Sequence, residues 1–265
     1  MNKIRIVDDK IDFMEIDDSI EISFKEKNDN YLVNVIKIII HKNTELDIDY
    51  KILEDSKLDL FINIKKEANA KIYEHANGEY LKVQYKYYLE ENSLCDIYKT
   101  SNLKGTKEYT IINLNGKSSN VKRVIKTVST RNEQYDMLVY HNAKETVSDL
   151  INQGVNLDNG SLTFNVSSFV PKDNVGCVVD QNNRIINLTQ NECMIKPNMY
   201  IDCFDVTANH SAFVGAFKDM ELFYLQSRGI PKEVALKLLI NGFLISNLPL
   251  AMQDDFKDVS EKYWR

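Results

Sequence analysis

From the first residues to about position 205 the chain repeats one pattern. Apolar and polar residues alternate, segment after segment, and no helical stretch separates the segments. KLDLFINIKK sets Leu58, Leu60, Ile62 and Ile64 against polar partners. EYLKVQYKYYLE does the same with Leu81, Val83, Tyr85 and Tyr87, and SLTFNVSSFV with Leu162, Phe164 and Val166. A period of two belongs to a strand with one face buried. The β-branched and aromatic residues in these runs suit a pleated surface. Because no helices intervene, βαβ units and a doubly wound sheet are excluded. A sandwich, a barrel or a β-solenoid remains. A solenoid repeats at a fixed period, and INIKKEANAKIYEH and VQYKYYLEENSLCDIYK recur roughly 20 residues apart. The connections NLDNGS, KDNVG and DQNNR are short and polar. With only nine Gly and four Pro in the chain, Asn and Asp must make many of the turns, since both tolerate left-handed backbone.

The pattern changes near residue 210. The β-like run is expected to stop at His210, and three short helices follow. Asp219 is expected to cap the first, MELFYLQSR, with Glu221 in its first turn. Gly229 stands where a C′ glycine belongs, and Pro231 fits the start of the next helix. In that helix Leu236, Leu239, Ile240, Phe243 and Leu244 share one face, and Pro249 ends it. A third stripe carries Met252, Phe256, Val259 and Tyr263. The expected division is a β body over residues 1–215 and a helical domain over 216–265.

A chain of 265 residues can bury a large core without disulfides. Its net charge of −6 is not the basic footprint of a nucleic-acid binder. No apolar run reaches the length of a membrane span, and the start lacks a signal-peptide core, so a cytoplasmic protein is expected. Cys95, Cys177, Cys193 and Cys203 form no CxxC pair, and each reads as a small buried hydrophobe. Gly116-Lys117-Ser118 is no phosphate loop, because Ile111 occupies the position of the first glycine. GxGxxG, HExxH and GxSxG are absent. His41, His75, His141 and His210 are far apart in sequence.

The stretch DVTANHSAFVGAFKDMELFYLQSRGIPKEVALKLLINGFL resembles the C-terminal signature of the SufB/SufD family of iron–sulfur cluster assembly proteins. The matching features are Asp205-Val206, Asn209-His210, Val214-Gly215, Leu222-Phe223-Tyr224 and Ser227-Arg228-Gly229-Ile230. The similarity runs from about residue 120 to 248 and extends faintly over 55 to 110. The resemblance implies a parallel β-helix core with a small C-terminal helical domain. It implies a scaffold subunit, not an enzyme, that joins a second copy or a SufB-like chain through the β-helix and docks a separate ABC-type ATPase, SufC. Closure of two ATPase subunits would pull on two helical domains and deform the β-helix interface. On the same grounds Leu222, Phe223, Tyr224, Arg228, Gly229, Ile230 and Phe243 become candidate partner-binding residues. His210 becomes a candidate ligand for an iron–sulfur cluster or iron shared at a dimer interface, with Cys203 as a second candidate.

This chain departs from the family pattern at the ligands. Asn182 follows Gln181 where the SufB type has cysteine, Ala208 stands where the SufD type often has one, and Ser211 replaces the SufB glutamate. The pattern is closer to SufD, in a form expected to lack the longer N-terminal helical region. His210 can be a ligand, a hydrogen-bonded structural residue or a proton carrier. An ATPase adaptor that holds no cluster, and a β-helix enzyme acting on acidic polysaccharide, are the alternative functions.

Overall fold

The structure is a computed structural model, and it describes residues 1–25 and 34–256. Alternation decides the architecture. Leu58, Leu60, Ile62 and Ile64 all point into the core, as do Leu81, Val83, Tyr85 and Tyr87, and Leu162, Phe164 and Val166. The strands are β1 (Asn2–Val7), β2 (Lys10–Glu15), β3 (Ile20–Lys25), β4 (Asn34–Ile40), β5 (Thr44–Ile52), β6 (Ser56–Ile64), β7 (Asn69–Leu89) and β8 (Leu94–Leu114). They continue with β9 (Asn120–Ser129), β10 (Asn132–His141), β11 (Val147–Asn156), β12 (Ser161–Val170), β13 (Cys177–Asn187), β14 (Met194–Ile201) and β15 (Val206–Gly215). They wind into a parallel β-solenoid of about seven turns. One face runs β5-β7-β8-β9-β11-β13-β15, and the other runs β4-β6-β7-β8-β10-β12-β14. β7 and β8 are long enough to turn the corner and serve both faces. Antiparallel pairs, β1 with β2 and β3 with β4, form the first end.

The rung is longer than the roughly 20 residues expected from sequence. Lys66 bonds Glu91 at a separation of 25 residues, and Asn152 bonds Asn183 at 31. Each coil needs two strands and two corners, and the corners lengthen toward the C-terminus. Outside, adjacent rungs are tied by opposite charges, as in Lys65–Glu90 at 2.7 Å and Lys122–Asp149 at 3.3 Å.

The lumen is not wholly apolar. Between the Ile/Leu-filled first rungs and the later ones lies a buried charged cluster. Lys99 and Arg123 each reach Glu108 at 2.5 Å, and Lys99 lies 3.6 Å from Glu74, which accepts a hydrogen bond from Tyr87. All four charged side chains are buried.

After Gly215 the chain turns into α1 (Asp219–Ser227), α2 (Lys232–Ile245) and a 3-10 helix over Leu250–Phe256. The cap of α1 is Lys218, not Asp219; its backbone N–H donates to the Glu221 carboxylate at 3.0 Å. That gives Glu221 a direct capping role beyond the dipole effect. Gly229 has φ +82°. Its N–H donates to Gln226 and that of Ile230 to Leu225, closing a Schellman turn. Pro231 caps α2 from outside the helix. α2 ends at Ile245, ahead of Pro249. Met252 and Phe256 are buried; Val259 and Tyr263 lie outside the described residues.

Candidate functional site

The last rung and the helical tail converge, so the site is built from both. β15 pairs with β13 alone along the sheet path and is exposed over nearly its whole length. The β run therefore does not stop at His210, as sequence suggested; the strand continues through it to Gly215. Register places His210 over Gln181 and Ser211 over Asn182. Gln181 points into the lumen and donates to Ser168 at 2.9 Å. His210 itself is exposed.

Cys203 precedes the strand. It packs on Val170, Cys177 and Val179 at the corner. At about 3.3 Å per residue, His210 stands on the order of 13 Å along β15 from its first residue, so the two candidate ligands are not brought together. Among the described residues, no group of three or more His, Cys, Asp or Glu is placed to hold a metal ion. Iron–sulfur clusters are held chiefly by thiolates. With Asn182 and Ala208 at the register positions around His210, this chain by itself does not fit a cluster. The remaining histidines are engaged elsewhere. His141 is buried between Thr146 and Ser148, and burial pulls its imidazole down to about 4.

The tail lies on the outer face of β9, β11 and β13. Val124, Val128, Val155 and Ile186 of the solenoid join Phe217, Ile240, Phe243, Leu244, Leu248, Met252 and Phe256 in one apolar cluster. This is why β9 and β11 lose their alternation: the lumen buries one face and the tail buries the other.

Polar pins cross that seam, and sequence reading missed them. Lys126 of β9 is fully buried. Its ammonium donates to Gln153, to the Phe243 carbonyl at 2.8 Å and to Ser246 at 2.9 Å. The carbonyl end of α2 attracts positive charge, yet burial still drags the lysine down to about 7. Further along, His75 donates to Asp255 at 2.6 Å and faces Asp47 at 3.3 Å, while Thr100 also donates to Asp255. Burial lowers the His75 imidazolium, but the hydrogen bonds and charges of Asp255 and Asp47 outweigh it and lift the group to about 10. His75, Thr100, Lys126, Gln153, Arg184 and Phe213 stand in register on successive strands. The tail thus follows a single side-chain column down the solenoid. The only sequence signal for it was the broken alternation of NVKRVIKTVS.

The candidate partner-binding residues divide. Helix α1 has no buried residue. Phe223 is 64% and Tyr224 58% exposed, with Met220 beside them, and Val234 and Leu238 of α2 are exposed as well. Arg228 stacks on Tyr224 at 5.2 Å. Gly229 is exposed, and Leu222 and Ile230 are half-buried. Phe243 differs: it is turned onto the solenoid, edge-on to Phe217 at 6.4 Å. It belongs to the seam.

Residues 18–243 match the family described as SUF system FeS cluster assembly, SufBD core domain. The iron–sulfur cluster assembly protein SufD of Bacillus subtilis is 32% identical over 139 residues, which is 51% of this chain and 32% of that protein. SufD of Escherichia coli is 28% identical over 145 residues, 54% of this chain and 34% of its own length. A SufBD-family iron–sulfur cluster assembly protein of Mycobacterium leprae is 46% identical over 48 residues, 18% of this chain and 12% of that protein. The matched stretches thus span about a third or less of each relative. No helix among the described residues is long and apolar enough to cross a membrane.

Proposed function

The chain belongs to the SufBD core family, and from that premise we propose that it is a SufD-like scaffold subunit in iron–sulfur cluster assembly. In this reading the tail docks an ABC-type ATPase and the open last rung meets a second β-helix chain. The observation that carries the reading is the apolar surface of α1. A nine-residue helix that buries no residue, while showing Phe223, Tyr224 and Met220 to solvent, has little reason to be apolar unless another surface covers it. Phe243 leaves the proposed contact set, and Val234 and Leu238 enter it. The exposed β15, with no strand on its outer edge among the described residues, needs a partner or a cover; a second copy or a SufB-like chain supplies either.

Docking is tested by calorimetric titration of a SufC-type ATPase with wild type and with Phe223→Asp. A central aromatic contact is worth at least 2 kcal/mol, so the variant should bind about 30-fold more weakly or worse, with unchanged circular dichroism. Equal affinities would remove α1 from the interface.

The cluster is treated as cargo whose ligands come from more than one chain. His210 offers one imidazole at the open rung, and the chain alone offers no thiolate next to it. Anaerobic reconstitution with iron and sulfide is expected to give a cluster only when a thiolate-bearing partner chain is present, and a more labile one with His210→Ala. A complex whose iron content and absorption are unaffected by His210→Ala would favour the second reading, an ATPase adaptor that holds no cluster. Asn182 and Ala208 already lean toward it.

A further inference from the structure

Arg184 of β13 stands in register between Gln153 and Phe213. Its guanidinium lies 5.2 Å from the ring centre of Phe213 on β15 and 5.3 Å from that of Phe243 on α2. We propose that Arg184 is a positioning residue that couples the seating of the tail to the order of the terminal strand. One planar cation grips two aromatic faces, one on each element, and a guanidinium stacks on rings as an aliphatic side chain cannot.

The surroundings make the grip consequential. Phe243 is a hub of the seam: its carbonyl accepts from Lys126, its ring lies 5.3 Å from the Lys126 ammonium, and Phe217 meets it edge-on. Seating of α2 therefore fixes where the Phe243 ring presents itself to Arg184. At the other end, β15 has a backbone partner along one edge and is exposed elsewhere. Phe213 folds back on Gly215, where an added Cβ would come within 3.0 Å of its ring tip. Phe213 is 40% exposed, so the Arg184 contact is a main hold on its ring. His210 lies on that strand three residues before Phe213. A shift of the tail thus reaches the open rung through a side chain as well as through the short covalent connection from Gly215 to Lys218. The coupling belongs to the chain alone. It deepens the docking reading but does not depend on any partner being bound.

The test is hydrogen exchange of the free chain, followed by mass spectrometry, in wild type, Arg184→Leu, Arg184→Lys, Phe243→Leu and the Arg184→Leu/Phe243→Leu double variant. The β15 amides bonded to β13 should exchange about tenfold faster in Arg184→Leu and in Phe243→Leu, with β9 and β11 unchanged in Arg184→Leu. The double variant should be no faster than either single one, because both remove the same link. Arg184→Lys should recover part of the protection. The His210 imidazole NMR signals should shift on Phe243→Leu when Arg184 is present and stay still in Arg184→Leu. Additive exchange rates, acceleration spread over the whole solenoid, or a His210 response that survives Arg184→Leu would each overturn the proposal. Failure here leaves the calorimetric docking test untouched, and failure of docking leaves this one standing.

Discussion

Glu108→Gln should destabilise the fold by about 3–5 kcal/mol at neutral pH, the range seen when one partner of a buried ion pair is removed. Glu108 holds two cations at 2.5 Å, Lys99 and Arg123, and all three side chains are buried in the lumen. Glutamine fills the same space but cannot balance two charges. Glu74, 3.6 Å from Lys99, compensates only part of the deficit. In a protein whose total stability is of order 5–15 kcal/mol, that loss shows directly in urea unfolding. The pH dependence gives a second check. Burial raises the Glu108 carboxyl, but the charges of Arg123 and Lys99 outweigh it and hold the group at about 2. A depressed carboxylate contributes stability that is present above its unfolded value, near 4.5, and is lost as pH falls toward 2. The gap between wild type and Glu108→Gln should therefore close between pH 4.5 and 2. A gap that is constant with pH would mean that packing, not charge, is lost. Replacing Glu74, Lys99, Glu108 and Arg123 together by apolar residues of similar volume should cost little or stabilise, which separates the cost of an unbalanced charge from the worth of the network.

The β-solenoid was legible wherever one strand face meets solvent. Leu58 to Ile64 and Leu81 to Tyr87 alternate because the outer residues are wet and the inner ones dry, and that contrast is what sequence records. It fails at β9. There Val124, Lys126 and Val128 are covered by the tail while Arg123, Ile125 and Thr127 fill the lumen, so NVKRVIKTVS shows no period and nothing in it sets the buried Arg123 and Lys126 apart from the partly exposed Lys122. The apolar face of α2 was legible from Leu236 to Leu244 by its 3.6-residue spacing. What it packs against was not, and Phe243 was accordingly expected to meet a partner. The family signature around His210 located the terminal strand. It also showed Asn182 and Ala208 at the expected cysteine positions; it could not show that Cys203 stays at the corner away from His210, or that the tail is pinned by residues 117 to 180 positions away in sequence. Such pins depend on register across rungs whose length varies from 24 to 31 residues, and a period that drifts is hard to detect in one sequence.

The two pins at the seam titrate in opposite directions, and removing either should unmask the other. Folded His75 sits at about 10 against an ordinary value of 6.5, so between those values the folded chain holds a proton that the unfolded chain has released. Stability from this pin is complete below pH 6.5 and is lost as pH rises through 10. Folded Lys126 sits at about 7 against 10.5. In that window the unfolded chain holds the extra proton, so this term raises stability as pH increases. From pH 7 to 10 the two nearly cancel: folding in effect moves a proton from the lysine to the histidine. Relative to wild type, His75→Asn should then gain stability with rising pH across this window, and Lys126→Met should lose it. Each slope should approach about 1.4 kcal/mol per pH unit, one proton's worth. Denaturant melts at pH 7, 8.5 and 10 distinguish the cases. Parallel curves for all three proteins would show that neither group changes its protonation when the tail seats. Slopes of the same sign in both variants would mean that the seam is held by its apolar cluster alone. Opposed slopes would show that His75 holds its proton at Asp255 while Lys126, at the end of α2, gives its proton up above about pH 7, two opposite dependences that keep the seating of the tail level from pH 7 to 10.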